Sequence, residues 1–194
     1  MEINLENKIP DIRHLNDMKK VLFDQEWAKT APNYELYYMY RGLQEKGNLR
    51  YDITVIPPKM LGIEFVKTKG HYHIGDYAEL YIILEGKALF LMQKEENGEI
   101  VDVYYVKGEK GDHVSIPSQY GHITINNSSQ ELKMANWVSK NCKSNYQRIE
   151  EEQGACYYYT KSGWVKNENY GKVPEIYSKE PEKIIPNLNF LIPK

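Results

Sequence analysis

The chain has 194 residues, 41% of them hydrophobic and 27% charged, with a formal net charge of −2. That length suits one domain with its own core, and the charge balance gives no general attraction to nucleic acid or to an anionic membrane. No apolar run approaches the roughly 18 residues needed to span a bilayer.

The stretch Met1-Glu2-Ile3-Asn4-Leu5-Glu6 lacks the basic-then-apolar pattern of a signal peptide. Cys142 and Cys156 are too few for a disulfide framework and read as reduced thiols, an expectation of a cytoplasmic protein.

In chain order, Leu15, Met18, Val21 and Leu22 recur at helical spacing, with Asn16 or Asp17 available as a cap. The pattern predicts one helix running through Ala28 and ended by Pro32. Residues 34–40 are rich in aromatics and predict a strand; a turn at Glu45-Lys46-Gly47-Asn48 leads to a second over 49–56, stopped by Pro57-Pro58. Short strands follow at 63–68, 80–84, 88–93, 101–106, 113–116, 122–126 and 132–138, separated by turn formers such as Glu85-Gly86 and Asn97-Gly98. This spacing predicts an all-β sandwich or barrel. A hairpin is expected from residues 157–160 to Trp164-Val165 through Lys161-Ser162-Gly163, and the proline-bearing end is expected to wrap over the barrel. The expected division is an N-terminal extension over 1–33, a barrel over 34–146 and a C-terminal extension over 147–194, all in one domain.

Of five histidines, three fall in two short stretches. Gly70-His71-Tyr72-His73 is followed by Glu79, and Ile116-Pro117 is followed by His122. Alternation along a strand puts His71 and His73 on one face and turns Tyr72 away. Glu79 opens an apolar strand, with Tyr81 and Ile83 on its face; Leu80, Ile82 and Leu84 on the other face are equally apolar. Something must therefore cover both faces, and a terminal extension or a second subunit would serve. Three imidazoles and one carboxylate suit iron, manganese, nickel, cobalt or zinc, with coordination positions left for a substrate oxygen. His14 and His113 have no such partners.

These residues resemble the two motifs of the cupin superfamily: His71-x-His73, Glu79 and Gly86, then Gly111, Pro117, His122 and Asn126. Gln119 stands where the second motif has Gly, and Phe65 where the first has one. Thr68-Lys69-Gly70-His71-Tyr72-His73, followed by Ala78-Glu79-Leu80-Tyr81, is similar to the cupin-type glucose-6-phosphate isomerases over residues 34–146. The resemblance implies a cupin double-stranded β-helix, a jelly-roll barrel, with a short N-terminal helix and an extended C-terminal tail. It implies a divalent metal on His71, His73, Glu79 and His122, and a cytoplasmic homodimer acting on a sugar phosphate. It also implies substrate contacts at Thr54, Thr68, Gly70, Tyr81 and Tyr146, with Tyr34 matching a phosphate-site tyrosine; the Thr54 and Thr68 hydroxyls, the Gly70 N–H and tyrosine hydroxyls are the expected donors to the phosphate. Where the family has Tyr and then His and Tyr, this chain has Trp137, Lys143 and Tyr146.

Aldose–ketose isomerisation moves hydrogen between C1 and C2 of an opened sugar. A proton route through a metal-stabilised enediolate needs a carboxylate to carry the proton, and Glu79 is the one at the centre. A hydride shift between the carbons is the other route. The same ligand set also suits a dioxygenase or decarboxylase, and the same fold a non-catalytic sugar-binding protein.

Overall fold

The computed structural model describes residues 3–184 and 187–193. Its first sheet is built from β1 (Asp11–His14), β2 (Glu35–Lys46) and β3 (Leu49–Ile56), an antiparallel run in which β2 turns into β3 at Gly47-Asn48. Short strands β4 (Met60–Leu61), β5 (Glu64–Phe65) and β6 (Tyr72–His73) follow. The barrel is completed by β7 (Glu79–Glu85), β8 (Lys87–Glu96), β9 (Glu99–Glu109), β10 (His113–Ile116), β11 (Tyr120–Ile125) and β12 (Leu132–Ser139). After β13 (Ser144–Asn145) come β14 (Tyr157–Thr160), β15 (Gly163–Lys166) and β16 (Tyr177–Lys179).

One large sheet has the order β1-β2-β3-β12-β7-β10, and the second has the order β11-β8-β9-β16. Consecutive strands β7 and β8 lie in different sheets, as do β10 and β11, so the chain crosses repeatedly from one to the other; that is a jelly roll. Ile83, Phe90, Met92, Ile116 and Met134, each no more than 1% exposed, belong to one continuous core cluster. Ile149, Cys156, Tyr157 and Tyr170 join the same cluster from the C-terminal segment, which is why Ala88 to Gln93 are buried on both faces of β8.

The expected N-terminal helix is broken. Leu15–Asp17 and Lys19–Val21 are separate 3-10 turns, and the α-helix α1 spans only Gln25–Thr30. Asp24 caps it, its carboxylate accepting from the Trp27 N–H at 2.9 Å, while Leu22 is already extended. Leu15, Met18, Val21 and Leu22 are all buried, so the apolar spacing serves packing and Asp24 dictates where the helix begins. A second helix, α2 (Gln147–Glu151), follows β13.

The predicted strand over 63–68 is likewise reduced to β5 and a single bridge from Lys67 to Ile125. The predicted hairpin corresponds to β14 and β15. The two chain ends cover Leu80 fully and Ile82 and Leu84 in part. Leu188 and Leu191 pack in a cluster with Leu80, and Ile3 and Leu5 in one with Ile82 and Leu84. No helix among the described residues is long and apolar enough to cross a membrane.

Candidate metal centre

Residues 66–71 run beside β11. The Asn126 N–H donates to the Val66 carbonyl at 3.0 Å and the Thr68 N–H to the Thr124 carbonyl at 2.8 Å, after which His71 and His122 exchange backbone bonds of 3.3 and 3.1 Å. That register sets the two imidazoles face to edge, their centroids 4.4 Å apart. Tyr72 turns away, its hydroxyl accepting from Gln93 Nε2 at 2.7 Å, so His73 returns to the face of His71 with 5.2 Å between rings.

The backbone can make this approach because Gly70 adopts φ +81° and carries no side chain: a Cβ there would stand 2.5 Å from Ile123 Cγ1. Gly70→Ala is therefore expected to destabilise the protein by about 2–4 kcal/mol through a strained φ and a clash in the core. Urea denaturation measures it, and a loss under 0.5 kcal/mol would mean that residues 66–71 relax freely.

Glu79 heads β7 and is 4% exposed. Its Oε2 lies 3.2 Å from His122 Nε2 and 3.4 Å from His73 Nε2, and its Oε1 accepts from Asn136 Nδ2 at 2.6 Å. Burial alone would raise its pKa, but the close imidazoles of His122 and His73 outweigh it and hold the carboxyl well below the usual range. Burial pulls His73 down, yet contacts with Cys142 and Glu79 push it up to about 10. His71 has burial and the neighbouring His122 acting together, and lies well below its ordinary value. Asn136 faces the cavity from β12, a polar side chain in line with Met134 and Val138.

His71, His73, Glu79 and His122 each offer one ligand atom, and these lie within 4.8 Å of one another. Glu79 Oε2 and His122 Nε2 are buried and lack a hydrogen-bond partner, although they face each other. Unmatched buried groups of this kind cost about 1–3 kcal/mol each, and a cation at their common focus would satisfy both. Imidazole nitrogens, which give up their protons on binding, and a hard carboxylate oxygen fit a divalent transition metal.

Thr54, Thr68, Gly70, Tyr81 and Tyr146 line the same cavity as the four donors. Tyr81 lies 5.9 Å from the His122 ring and Tyr146 5.5 Å from His71, centroid to centroid. Thr68 Oγ1 already accepts from the Thr124 N–H at 3.0 Å. Tyr34 is not among the lining residues; the Lys59 ammonium sits 5.1 Å over its ring, and Tyr37 faces the cavity instead.

The two departures from the family pattern lie away from the cavity: Trp137 packs on Tyr51, 4.9 Å between rings, and Lys143 is exposed. Alternation along β12 and β13 puts Val138 and Ser144 at the cavity. Sequence reasoning also passed over Asn136, whose signal was a polar residue in an apolar strand, and the cations Arg13, Arg41, Arg50 and Lys69.

A jelly-roll barrel holding three imidazoles and one carboxylate at its centre defines a cupin. The family model described as glucose-6-phosphate isomerase (GPI) matches residues 12–175, and the chain belongs to that family. It is 36% identical over 129 residues to a glucose-6-phosphate isomerase of Thermococcus litoralis, covering 63% of this chain and 65% of the relative. One of Pyrococcus horikoshii is 34% identical over 125 residues, covering 61% and 64%. One of Thermococcus gammatolerans is 30% identical over 161 residues, covering 80% and 82%. The chain thus spans just under two thirds of the length of the first two relatives. Among solved structures, an oxalate oxidase in complex with the substrate analogue glycolate superposes at TM-score 0.46 and 14% identity, over 57% of this chain and 54% of the other. A Lactobacillus farciminis oxalate decarboxylase formate complex superposes at 0.43 and 16%, over 54% and 29%.

Proposed function

We propose that this chain is a metal-dependent aldose–ketose isomerase interconverting glucose 6-phosphate and fructose 6-phosphate. The observation that carries the reading is Glu79: a buried carboxylate whose Oε2 has no hydrogen-bond partner and faces two imidazoles, in a chain of this family. His71, His73, Glu79 and His122 would hold the metal. When bound, it supplies Lewis-acid stabilisation of the negative charge that develops on the sugar's O1 and O2.

The chain's own residues do the rest. Glu79 moves the proton between C2 and C1, with Oε1 steadied by Asn136. Tyr81 and Tyr146 flank the imidazoles and contact the sugar, and Thr54, Thr68 and the Gly70 backbone receive its polar groups. Iron, manganese, nickel and zinc all suit the donors.

The protein works in the cytoplasm, in glycolysis and gluconeogenesis; both cysteines are free and buried, which supports a reducing compartment. It pairs as a homodimer, and the half-covered Tyr38, Tyr40, Ile82 and Leu84 on the outer face of the large sheet support such an interface.

The deciding test is anaerobic conversion of fructose 6-phosphate, with and without chelation and metal add-back. Turnover that disappears with chelator and returns with metal is the expected result; no turnover with any divalent metal would sink the reading. A second test concerns Asn136. Asn136→Ala frees Oε1, and divalent-metal affinity is expected to fall about 10- to 100-fold, the usual cost of removing the partner of a ligand. Calorimetric metal titration reads this directly, and an unchanged affinity would show that Asn136 does not position the ligand.

A further inference from the structure

Four cations line the cavity: Arg13, Arg41, Arg50 and Lys69. Three are already matched by carboxylates. Arg41 lies 3.0 Å from Asp11 and 3.7 Å from Asp52, Arg50 lies 2.9 Å from Asp52, and Lys69 is paired with Glu150. Asp52 is itself buried, and its other oxygen accepts from the Gly42 N–H at 2.7 Å, so that cluster is closed.

Arg13 differs. Among the described residues it forms no ion pair, and its Nε is buried with no hydrogen-bond partner. The nearby carboxylate of Asp17 instead accepts from the His14 N–H at 3.0 Å. Around the guanidinium stand the Tyr37 hydroxyl and the Tyr146 ring, 6.0 Å away, and Tyr146 in turn lies 5.5 Å from His71. Tyr37 accepts from the Lys69 N–H at 3.1 Å, which ties this corner to the backbone leading into Gly70 and His71.

Arg13 is half-buried at the cavity wall with no carboxylate partner, and its guanidinium fork matches a phosphate dianion through two parallel N–H···O bonds. We propose that Arg13 is the residue that takes the phosphate of the substrate. This rests on the isomerase reading for the identity of the sugar, though not for the anion. The placement also sets the direction of binding: phosphate against the β1 edge, the reacting carbons at the histidines, with Tyr146 between.

The test is Arg13→Met, which keeps an apolar stem and removes the charge, beside Arg13→Lys, which keeps a point charge without the fork. In the metal-loaded protein, Arg13→Met should raise the KM for fructose 6-phosphate about 10- to 100-fold with kcat changed far less, and weaken inhibition by inorganic phosphate in parallel. Arg13→Lys should recover part of both. Calorimetric titration with inorganic phosphate gives the same comparison without turnover. If the parent proves inactive on the sugar yet binds phosphate, and Arg13→Met does not, the isomerase reading fails while the anion site stands. If Arg13→Met keeps KM and phosphate binding within twofold of the parent, Arg13 is not the phosphate residue. Should Arg13→Met fail to fold, Arg13→Lys decides: parental KM and phosphate binding would overturn the proposal, and an intermediate loss supports it.

Discussion

Replacing Glu79 with Gln is expected to lower kcat for fructose 6-phosphate by about 10³-fold or more, while the protein stays folded. The amide has the size of the carboxylate, and its oxygen can still accept from Asn136 Nδ2, now at 2.6 Å from Oε1. The backbone of residue 79 pairs with Val138 and Ile116 whatever the side chain, and Leu80 behind it is fully buried. What disappears is the negative charge facing His122 and His73, and with it the only carboxylate in the group of four donors. Metal content should be measured with turnover. A variant that retains metal and loses turnover would show that Glu79 moves the proton as well as holding the ion. Unchanged activity would remove Glu79 from the mechanism.

The largest effect on stability is expected at Lys67, whose side chain is 2% exposed and pairs with Glu64 at 1%. Burial drives the Lys67 pKa down and that of Glu64 up, and each opposes the shift of the other. Glu64 also accepts from the Phe23 N–H at 3.0 Å, and the Lys67 ammonium lies 4.8 Å over the Tyr158 ring. The pair therefore joins the N-terminal turns, the β14 hairpin and the segment that carries His71. Lys67→Met leaves Glu64 buried without a counter-charge and should cost about 3–5 kcal/mol. The double variant Lys67→Met/Glu64→Gln removes both charges and keeps an acceptor for Phe23, so most of the loss should be recovered. Urea midpoints of the two variants make the comparison. A single-variant cost below about 1 kcal/mol would mean that water reaches Glu64.

Much of this was legible in the residues. Period-two alternation located every long strand of the barrel and put His71 and His73 on one face, because that signal is local to a strand. The four donors were legible because they are chemically unlike their neighbours. The N-terminal helix failed because apolar spacing reports burial, and a chain of 3-10 turns buries Leu15, Met18, Val21 and Leu22 as well as a helix does. The face on which Trp137 lies was not legible, because a one-residue slip along β12 reverses every side chain, and only the register against β3 and β7 resolves it. Arg13 carried no local signal at all. It reaches the cavity through the pairing of β1 with β2 and β2 with β3, contacts between strands that a linear reading does not contain.

Leu191 lies fully buried beside Leu80, one residue along from Glu79. The last described turn of the chain is thus a wedge behind the strand that presents the carboxylate. Leu191→Ala would open a void against Leu80, so a packing change on the outer side of the sheet would reach the backbone that carries Glu79.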